Sequence, residues 1–152
     1  RRRQLRRCSE ALGPCESPYF RPPYGDQSVA SHLDTLMAGY QVVGWGVDGQ
    51  DWLDHDGERI AGRILGSLRP GSIALLHDRI LSAPDLRYLD REPMLEAVSL
   101  ILDELEGGFD LVTLEELLET GRPHRVHWYR RADAEWLNSL QAPDGDAWRY
   151  PA

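Results

Sequence analysis

The sequence predicts an α/β fold in which short parallel strands alternate with helices that cross between them. Strand-like and helix-like segments follow one another along most of the chain. This alternation is typical of layered or barrel folds with parallel strands. The chain has 152 residues and a mass of 17.3 kDa, which is enough for one domain with a hydrophobic core.

Four elements are predicted in the first half of the chain. Gly13 and Gly39 stand where the two helices should end, because glycine readily adopts the backbone conformation that terminates a helix. The second strand is apolar, β-branched and aromatic, which indicates burial on both faces. The predicted ranges are helix 1–12, strand 17–22, helix 28–38 and strand 40–47.

Five more elements are predicted between residue 59 and residue 120, where the helix and strand patterns continue to alternate. The alternation of helix and strand patterns ends after Gly121, so residues 1–121 are interpreted as the domain and 122–152 as a tail. Three tail tryptophans either form a sugar-stacking surface or pack against the protein. The predicted ranges are helix 59–68, strand 72–76, helix 94–107, strand 109–113 and helix 114–120.

The composition of the chain argues against nucleic acid as a partner. The formal net charge is -8, with 25 acidic and 17 basic residues, whereas phosphate binding needs a concentrated positive surface. No apolar run approaches the roughly 20 residues that span a bilayer. The two cysteines, Cys8 and Cys15, match no zinc-binding spacing.

Chemically active side chains follow the predicted strands, at the ends where functional residues of parallel α/β folds gather. An imidazole that donates a proton, beside a carboxylate that orients it, suits acid–base hydrolysis or a sugar-active site. Each residue also has a purely structural interpretation: the histidine as a hydrogen-bonding group and the RPPYG segment as a rigid turn. The residues are Arg21, Tyr24, Asp48, Asp51, Trp52 and His77.

Three segments in this order resemble conserved blocks of a known family. FRPPYG, VDGQDW and GSIALLHD are similar to the third, fourth and fifth blocks of the polysaccharide deacetylases, the NodB-homology domain of carbohydrate esterases. GFDLVTLEELL resembles the closing strand and helix of that domain, so the resemblance covers residues 5–120. It implies an irregular (β/α) barrel that removes N-acetyl, sometimes O-acetyl, groups from polymers such as chitin or peptidoglycan. It also implies a divalent metal, usually zinc.

The resemblance assigns roles to individual residues of this chain. His77 would be the general acid that protonates the leaving amine, and Asp51 would tune it. Arg21 would pair with the aspartate that serves as catalytic base, and the Tyr24 backbone N–H would face the oxyanion. The prolines and the glycine of FRPPYG would hold these two groups in fixed geometry. The remaining residues would contact the substrate, with Trp52 and Leu75 lining the acetyl pocket and Asp48 nearby.

Two family blocks have no counterpart in the sequence. There is no Asp-Asp pair to supply the base and a metal ligand, and no two histidines are four residues apart, as the metal-binding pair on a helix requires. With the abrupt helical start at residue 1, this indicates the C-terminal part of a metal-dependent deacetylase acting on an acetylated polysaccharide or oligosaccharide. The alternative is a catalytically silent remnant or carbohydrate-binding protein of the same fold. The resemblance favours cell-envelope or secreted substrates.

Overall fold

A computed structural model of the chain describes residues 2–80 and 85–126. Within that part, the chain divides into two compact units. Residues 2–44 with 125–126 belong to the first unit, and residues 45–80 with 85–124 belong to the second. None of the helices in the described part is long and apolar enough to cross a membrane.

The first unit contains a parallel strand–helix–strand arrangement preceded by a helix. Its two strands pair in parallel, with Tyr19 opposite Gln41. The helix between them begins with a capping box, in which Ser28 Oγ accepts a hydrogen bond from the Ser31 amide at 3.1 Å. Gly39 follows this helix with φ +89°, the left-handed conformation that glycine adopts at low cost. The elements are α1 (Arg2–Leu12), β1 (Tyr19–Phe20), α2 (Val29–Met37) and β2 (Gln41–Val42).

The second unit repeats the parallel strand–helix–strand pattern and adds two helices. Its strands pair in parallel, with Val47 opposite Ala74 and Asp48 opposite Leu75. A short 3₁₀ turn at Leu86–Leu89 precedes the longest helix. The elements are β3 (Val47–Asp48), α3 (Gly57–Ser67), β4 (Ala74–Leu75), α4 (Glu92–Leu105) and α5 (Leu114–Thr120). Parallel strands alternating with helices confirm the predicted α/β class in both units.

The core of the second unit lies between α3 and α4. On α4 the buried side chains recur every three or four residues, which places them on one face of the helix. On α3 the buried face carries Ile60, Ala61 and Ile64, and β3 adds Val47. Helix propensity alone would not hold these helices, so burial of the two apolar faces is what holds α3 and α4 against each other. The buried residues of α4 are Met94, Ala97, Ile101 and Leu105.

Two of the predicted strands differ from the structure. The single predicted strand 40–47 is instead two short strands, β2 and β3, which pair with different partners and are only partly buried. Gly44 and Gly46 lie between them, and glycine weakens a strand because it has no side chain to pack. Residues 109–113 form no strand and are exposed. The helix that follows them begins as predicted, at a capping box made by Thr113 and Glu116.

Replacing Gly49 with alanine is expected to lower the free energy of unfolding by about 1–3 kcal/mol. Gly49 is buried, and an added Cβ would lie 2.9 Å from Leu76 Cδ2 and 3.1 Å from Ile64 Cδ1. Ile64 is 1% exposed and has little room to move. Denaturant titration of the variant and its parent measures the change.

The matched control is Gly62→Ala in the interior of α3. A Cβ at Gly62 meets no atom within 4 Å, so this variant should gain about 0.5–1 kcal/mol from the higher helix propensity of alanine. If the two variants changed stability equally, close packing around Gly49 would not be the cause.

Candidate acid–base site

The site is built where the chain leaves β3 and β4 of the second unit. After β3 the Oδ1 atom of Asp48 accepts a hydrogen bond from the Gln50 amide at 2.9 Å, which closes a tight turn. Gln50 has φ +53°, a left-handed conformation that few residues other than glycine adopt. Such strain persists only where the surrounding structure enforces it. Here it turns the backbone so that Asp51 lies next to the end of β4.

Asp51 and His77 make direct contact. The Asp51 Oδ1 atom lies 2.9 Å from His77 Nδ1, and Asp51 Oδ2 accepts a hydrogen bond from the His77 backbone amide at 3.0 Å. The Asp51 side chain is fully buried, whereas the His77 side chain is 36% exposed. The two residues are 26 positions apart in the sequence. They meet because β3 and β4 run in parallel and both segments leave at the same end.

This contact defines the protonation pattern of the His77 ring. A carboxylate can only accept hydrogen bonds, so Nδ1 carries the proton that points to Asp51. The second nitrogen, Nε2, makes no hydrogen bond to any residue in the described ranges. A histidine fixed through Nδ1 and open at Nε2 has the geometry of a proton donor or acceptor for a bound ligand.

A third residue, Arg91, hydrogen-bonds to both Asp51 and His77. Its guanidinium hydrogen-bonds Asp51 Oδ2 and the backbone oxygen of His77, the latter at 2.9 Å. It also donates to the backbone oxygens of Asp51 and Tyr88, each at 3.1 Å. Arg91 precedes α4 directly and its side chain is 14% exposed. A buried carboxylate needs a paired positive charge, and Arg91 supplies it for Asp51.

Sequence reasoning did not identify Arg91. It lies 40 residues from Asp51 in the sequence and outside the segments FRPPYG, VDGQDW and GSIALLHD. One signal was present: Arg91 occupies the position before the first turn of α4, where Ser, Thr, Asp or Asn is preferred. A positive charge is unfavourable there because the helix dipole is positive at that end. An arginine at such a position indicates a carboxylate partner.

Two predicted site residues belong to the first unit and are close to each other along the chain. Arg21 donates a hydrogen bond to the Gly44 backbone oxygen at 3.3 Å. Partial desolvation lowers the pKa of Arg21, but its ordinary value is so high that the side chain stays charged at neutral pH. Tyr24 has φ +56° within a tight turn whose next residue, Gly25, is also left-handed. No described residue accepts a hydrogen bond from the Tyr24 amide.

The other three predicted residues lie in the second unit near the pair. Trp52 follows Asp51 directly and is half-buried. Leu75 ends β4 two residues before His77, opposite Asp48 at the end of β3. The structure therefore brings Asp48, Asp51 and Trp52 to one end of the β3–β4 pair, together with Leu75 and His77. Their contacts with a substrate remain predictions.

The described residues do not fit a metal site. Across residues 2–80 and 85–126, no three His, Cys, Asp or Glu side chains come together in a way that could hold an ion. The one carboxylate–imidazole pair of the site, Asp51 with His77, is already engaged: both Asp51 oxygens accept hydrogen bonds. No chemical step is therefore assigned to a metal through these residues.

Comparison with known proteins places these features in a family. No protein-family model matches the chain. A chitooligosaccharide deacetylase from a Bradyrhizobium species is 31% identical over 114 residues, which are 72% of this chain and 50% of that protein. A bifunctional xylanase/xylan deacetylase from Cellvibrio japonicus is 33% identical over 78 residues, 49% of this chain and 12% of that protein. The chain thus spans at most about half the length of these curated relatives.

Two solved structures have a similar fold. The peptidoglycan deacetylase PdaC from Bacillus subtilis aligns with a TM-score of 0.58 and 25% identity, over 72% of this chain and 48% of that chain. The Bc1960 peptidoglycan N-acetylglucosamine deacetylase also aligns with a TM-score of 0.58, over 70% of this chain and 47% of that chain. On these similarities, the chain matches part of a NodB-type polysaccharide deacetylase domain.

Proposed function

We propose that the chain contributes the acid–base part of a site that removes acetyl groups from an acetylated polysaccharide or oligosaccharide. The observation that carries this proposal is the His77 ring, fixed through Nδ1 to the buried Asp51 carboxylate and open at Nε2. An amine is a poor leaving group unless it gains a proton as the bond to the acetyl carbon breaks. General acid catalysis supplies that proton.

In this reaction, water adds across the bond between the acetyl carbon and the sugar nitrogen. Acetate leaves with the oxygen of water, and the sugar keeps a free amine. His77 in its doubly protonated form donates the Nε2 proton to the departing nitrogen and becomes neutral. Asp51 holds the Nδ1 proton throughout, so the ring keeps one orientation before and after the transfer. For an O-acetyl substrate the same proton goes to the leaving hydroxyl oxygen.

The remaining predicted residues have supporting roles in this proposal. Arg21 would orient the catalytic-base aspartate of the family's first block, which has no counterpart in this sequence. The Tyr24 amide donates to the oxygen that becomes negative as water attacks. Tyr24 has a left-handed backbone, and no described residue accepts a hydrogen bond from its N–H, which leaves this donor for a ligand. Trp52 and Leu75 line the acetyl pocket, and Asp48 contacts the sugar. We propose the irregular (β/α) barrel of the family as the fold class.

The family resemblance also implies a divalent metal, whose ligands would come from the two family blocks that have no counterpart in this sequence. Zinc is the metal that the resemblance favours. Residues 1–121 would then form the C-terminal part of the deacetylase domain, followed by a tail at 122–152 that includes Trp128, Trp136 and Trp148. Most of that tail, from residue 127 onward, lies outside the described residues.

Substrates of the similar proteins define the compounds to test. By their names, these act on chitooligosaccharides, xylan and peptidoglycan. N-acetylated chitooligosaccharides, peptidoglycan glycan strands and acetylated xylan thus form the panel, with acetate release as the readout. Release from the first two, but not from xylan, would assign the activity to N-acetyl groups. Substrates of this kind occur in the cell envelope or outside the cell.

The intact mass of the native protein, measured from its source, decides which of two functions to pursue. A mass well above 17.3 kDa together with acetate release supports the deacetylase. A mass of 17.3 kDa with oligosaccharide binding but no acetate release supports the silent, carbohydrate-binding alternative. Absence of both release and binding across the panel would overturn the proposed substrate class.

A further inference from the structure

We propose that Arg91 is a positioning residue of the acid–base site, which fixes the tautomer and the orientation of His77 through Asp51. This inference rests on the proposed function for its kinetic consequence. The geometry that supports it is a property of the described residues alone. Arg91 contacts neither Nε2 of His77 nor the open side of the ring, so its effect on the reaction is indirect.

The hydrogen bonds of Arg91 hold both partners of the pair at once. One terminal nitrogen, Nη2, donates to Asp51 Oδ2 and to the His77 backbone oxygen. The other, Nη1, donates to the Asp51 backbone oxygen. The guanidinium therefore ties the segment after β3 to the segment after β4 through main-chain atoms as well as through the carboxylate. This planar fork is specific to arginine, since lysine offers a single point charge.

The engagement of Oδ2 determines which oxygen remains for His77. Arg91 and the His77 amide both donate to Oδ2, which leaves Oδ1 for the ring nitrogen. Without Arg91, only the His77 amide still donates to Oδ2, so the Asp51 carboxylate is held less firmly and the Nδ1–H contact is no longer unique. Both ring tautomers then become accessible, and part of the population presents a proton at Nε2 when the ring is neutral.

The remaining N–H of Arg91 supports this interpretation. Its Nε atom is buried and has no hydrogen-bond acceptor within the described part of the chain. Leaving a buried donor unsatisfied is unfavourable. The two terminal nitrogens, in contrast, are hydrogen-bonded to Asp51, His77 and Tyr88. An arginine that served only as a surface charge would not be held in this way.

The first test is spectroscopic and needs no enzymatic activity. In protein labelled with ¹⁵N-histidine, the parent should show His77 with a protonated Nδ1 and an unprotonated Nε2 when the ring is neutral. Arg91→Met should give averaged ring-nitrogen shifts from two tautomers, and Arg91→Lys an intermediate pattern. Arg69→Met, at an exposed arginine of the same unit, should match the parent. Unchanged His77 shifts in folded Arg91→Met or Arg91→Lys protein would overturn the proposal.

The second test is kinetic and uses deacetylation by the intact protein. Arg91→Met should lower kcat by about 10–100-fold, the usual effect of misplacing a catalytic group, with little change in KM. Arg91→Lys should recover part of that loss. An equal loss of kcat in Arg69→Met, or a change confined to KM, would contradict a positioning role.

The two tests separate this inference from the proposed function. If the parent releases no acetate but the Arg91 variants scramble the His77 tautomer, the function is wrong and the positioning role holds. If the parent is active and neither Arg91 variant changes the tautomer or kcat, the positioning role is wrong and the function stands. Should Arg91→Met fail to fold, Arg91→Lys decides both readouts.

Discussion

Alanine in place of His77 is expected to reduce acetate release from an N-acetylated oligosaccharide by about 10²–10⁴-fold, the range typical for loss of a general acid. Affinity for the oligosaccharide should change little, because in the proposed reaction His77 acts on the leaving group during bond cleavage. The fold should survive the change. Asp51 would still accept hydrogen bonds from the backbone amide at position 77 and from Arg91, so the buried carboxylate stays paired.

The leaving group of the substrate provides the sharpest check. An aryl acetate releases a phenolate that needs no proton, so the His77→Ala variant should retain most of the parent's activity on it. His124→Ala is the matched control, since His124 is exposed and lies outside the site. An equal loss on both kinds of substrate would mean that His77 does not act as the acid. It would point instead to general damage of the site.

The local pattern predicted that His77 would lie near a carboxylate at the strand ends, and the family resemblance singled out Asp51. Each residue follows a short apolar strand, and parallel strands place such residues at the same edge. Pattern also located every helix of the described part, because caps and apolar spacing are local signals. The predicted helix 28–38, for example, begins at Ser28, which caps α2 in the structure.

Other features depend on contacts that no local window contains. Arg91 and Asp51 are 40 residues apart, and their pairing arises only when α4 packs against α3 in the folded unit. The apolar run at residues 40–47 has the composition of one buried strand, but its two halves pair with different partners. Which strands pair depends on tertiary contacts, whereas composition indicates only whether a segment suits a β-sheet.

Substituting Asp54 with asparagine is expected to lower the free energy of unfolding at pH 7 by about 3 kcal/mol, as when a buried ion pair loses one partner. The Asp54 side chain is fully buried and bonds two arginines of α3, Arg59 at 2.7 Å and Arg63. Arg63 also donates to the Gly49 backbone oxygen at 3.1 Å. The cluster thereby ties the segment that carries Asp51 to α3. The arginines are partly exposed, which keeps the loss at the lower end of the range for buried pairs.

The loss should also depend on pH, with a sign set by the pKa of Asp54. Burial by itself raises that pKa, but the hydrogen bonds and charges of Arg59 and Arg63 outweigh it and hold the pKa below the ordinary value. A lowered pKa in the folded state means that the carboxylate stabilises the protein fully above about pH 3.9, the ordinary aspartate value. This stabilisation disappears as the pH falls through the folded pKa.

Denaturant titrations at intervals from pH 7 to pH 2.5 test this dependence. The difference in unfolding free energy between parent and Asp54→Asn should be largest near neutral pH and should shrink in acid, because protonation removes the same charge from the parent. Asp103→Asn on the exposed face of α4 should stay within about 0.5 kcal/mol of the parent throughout. A difference that stayed constant with pH would show that shape, and not the charge on Asp54, accounts for the stabilisation.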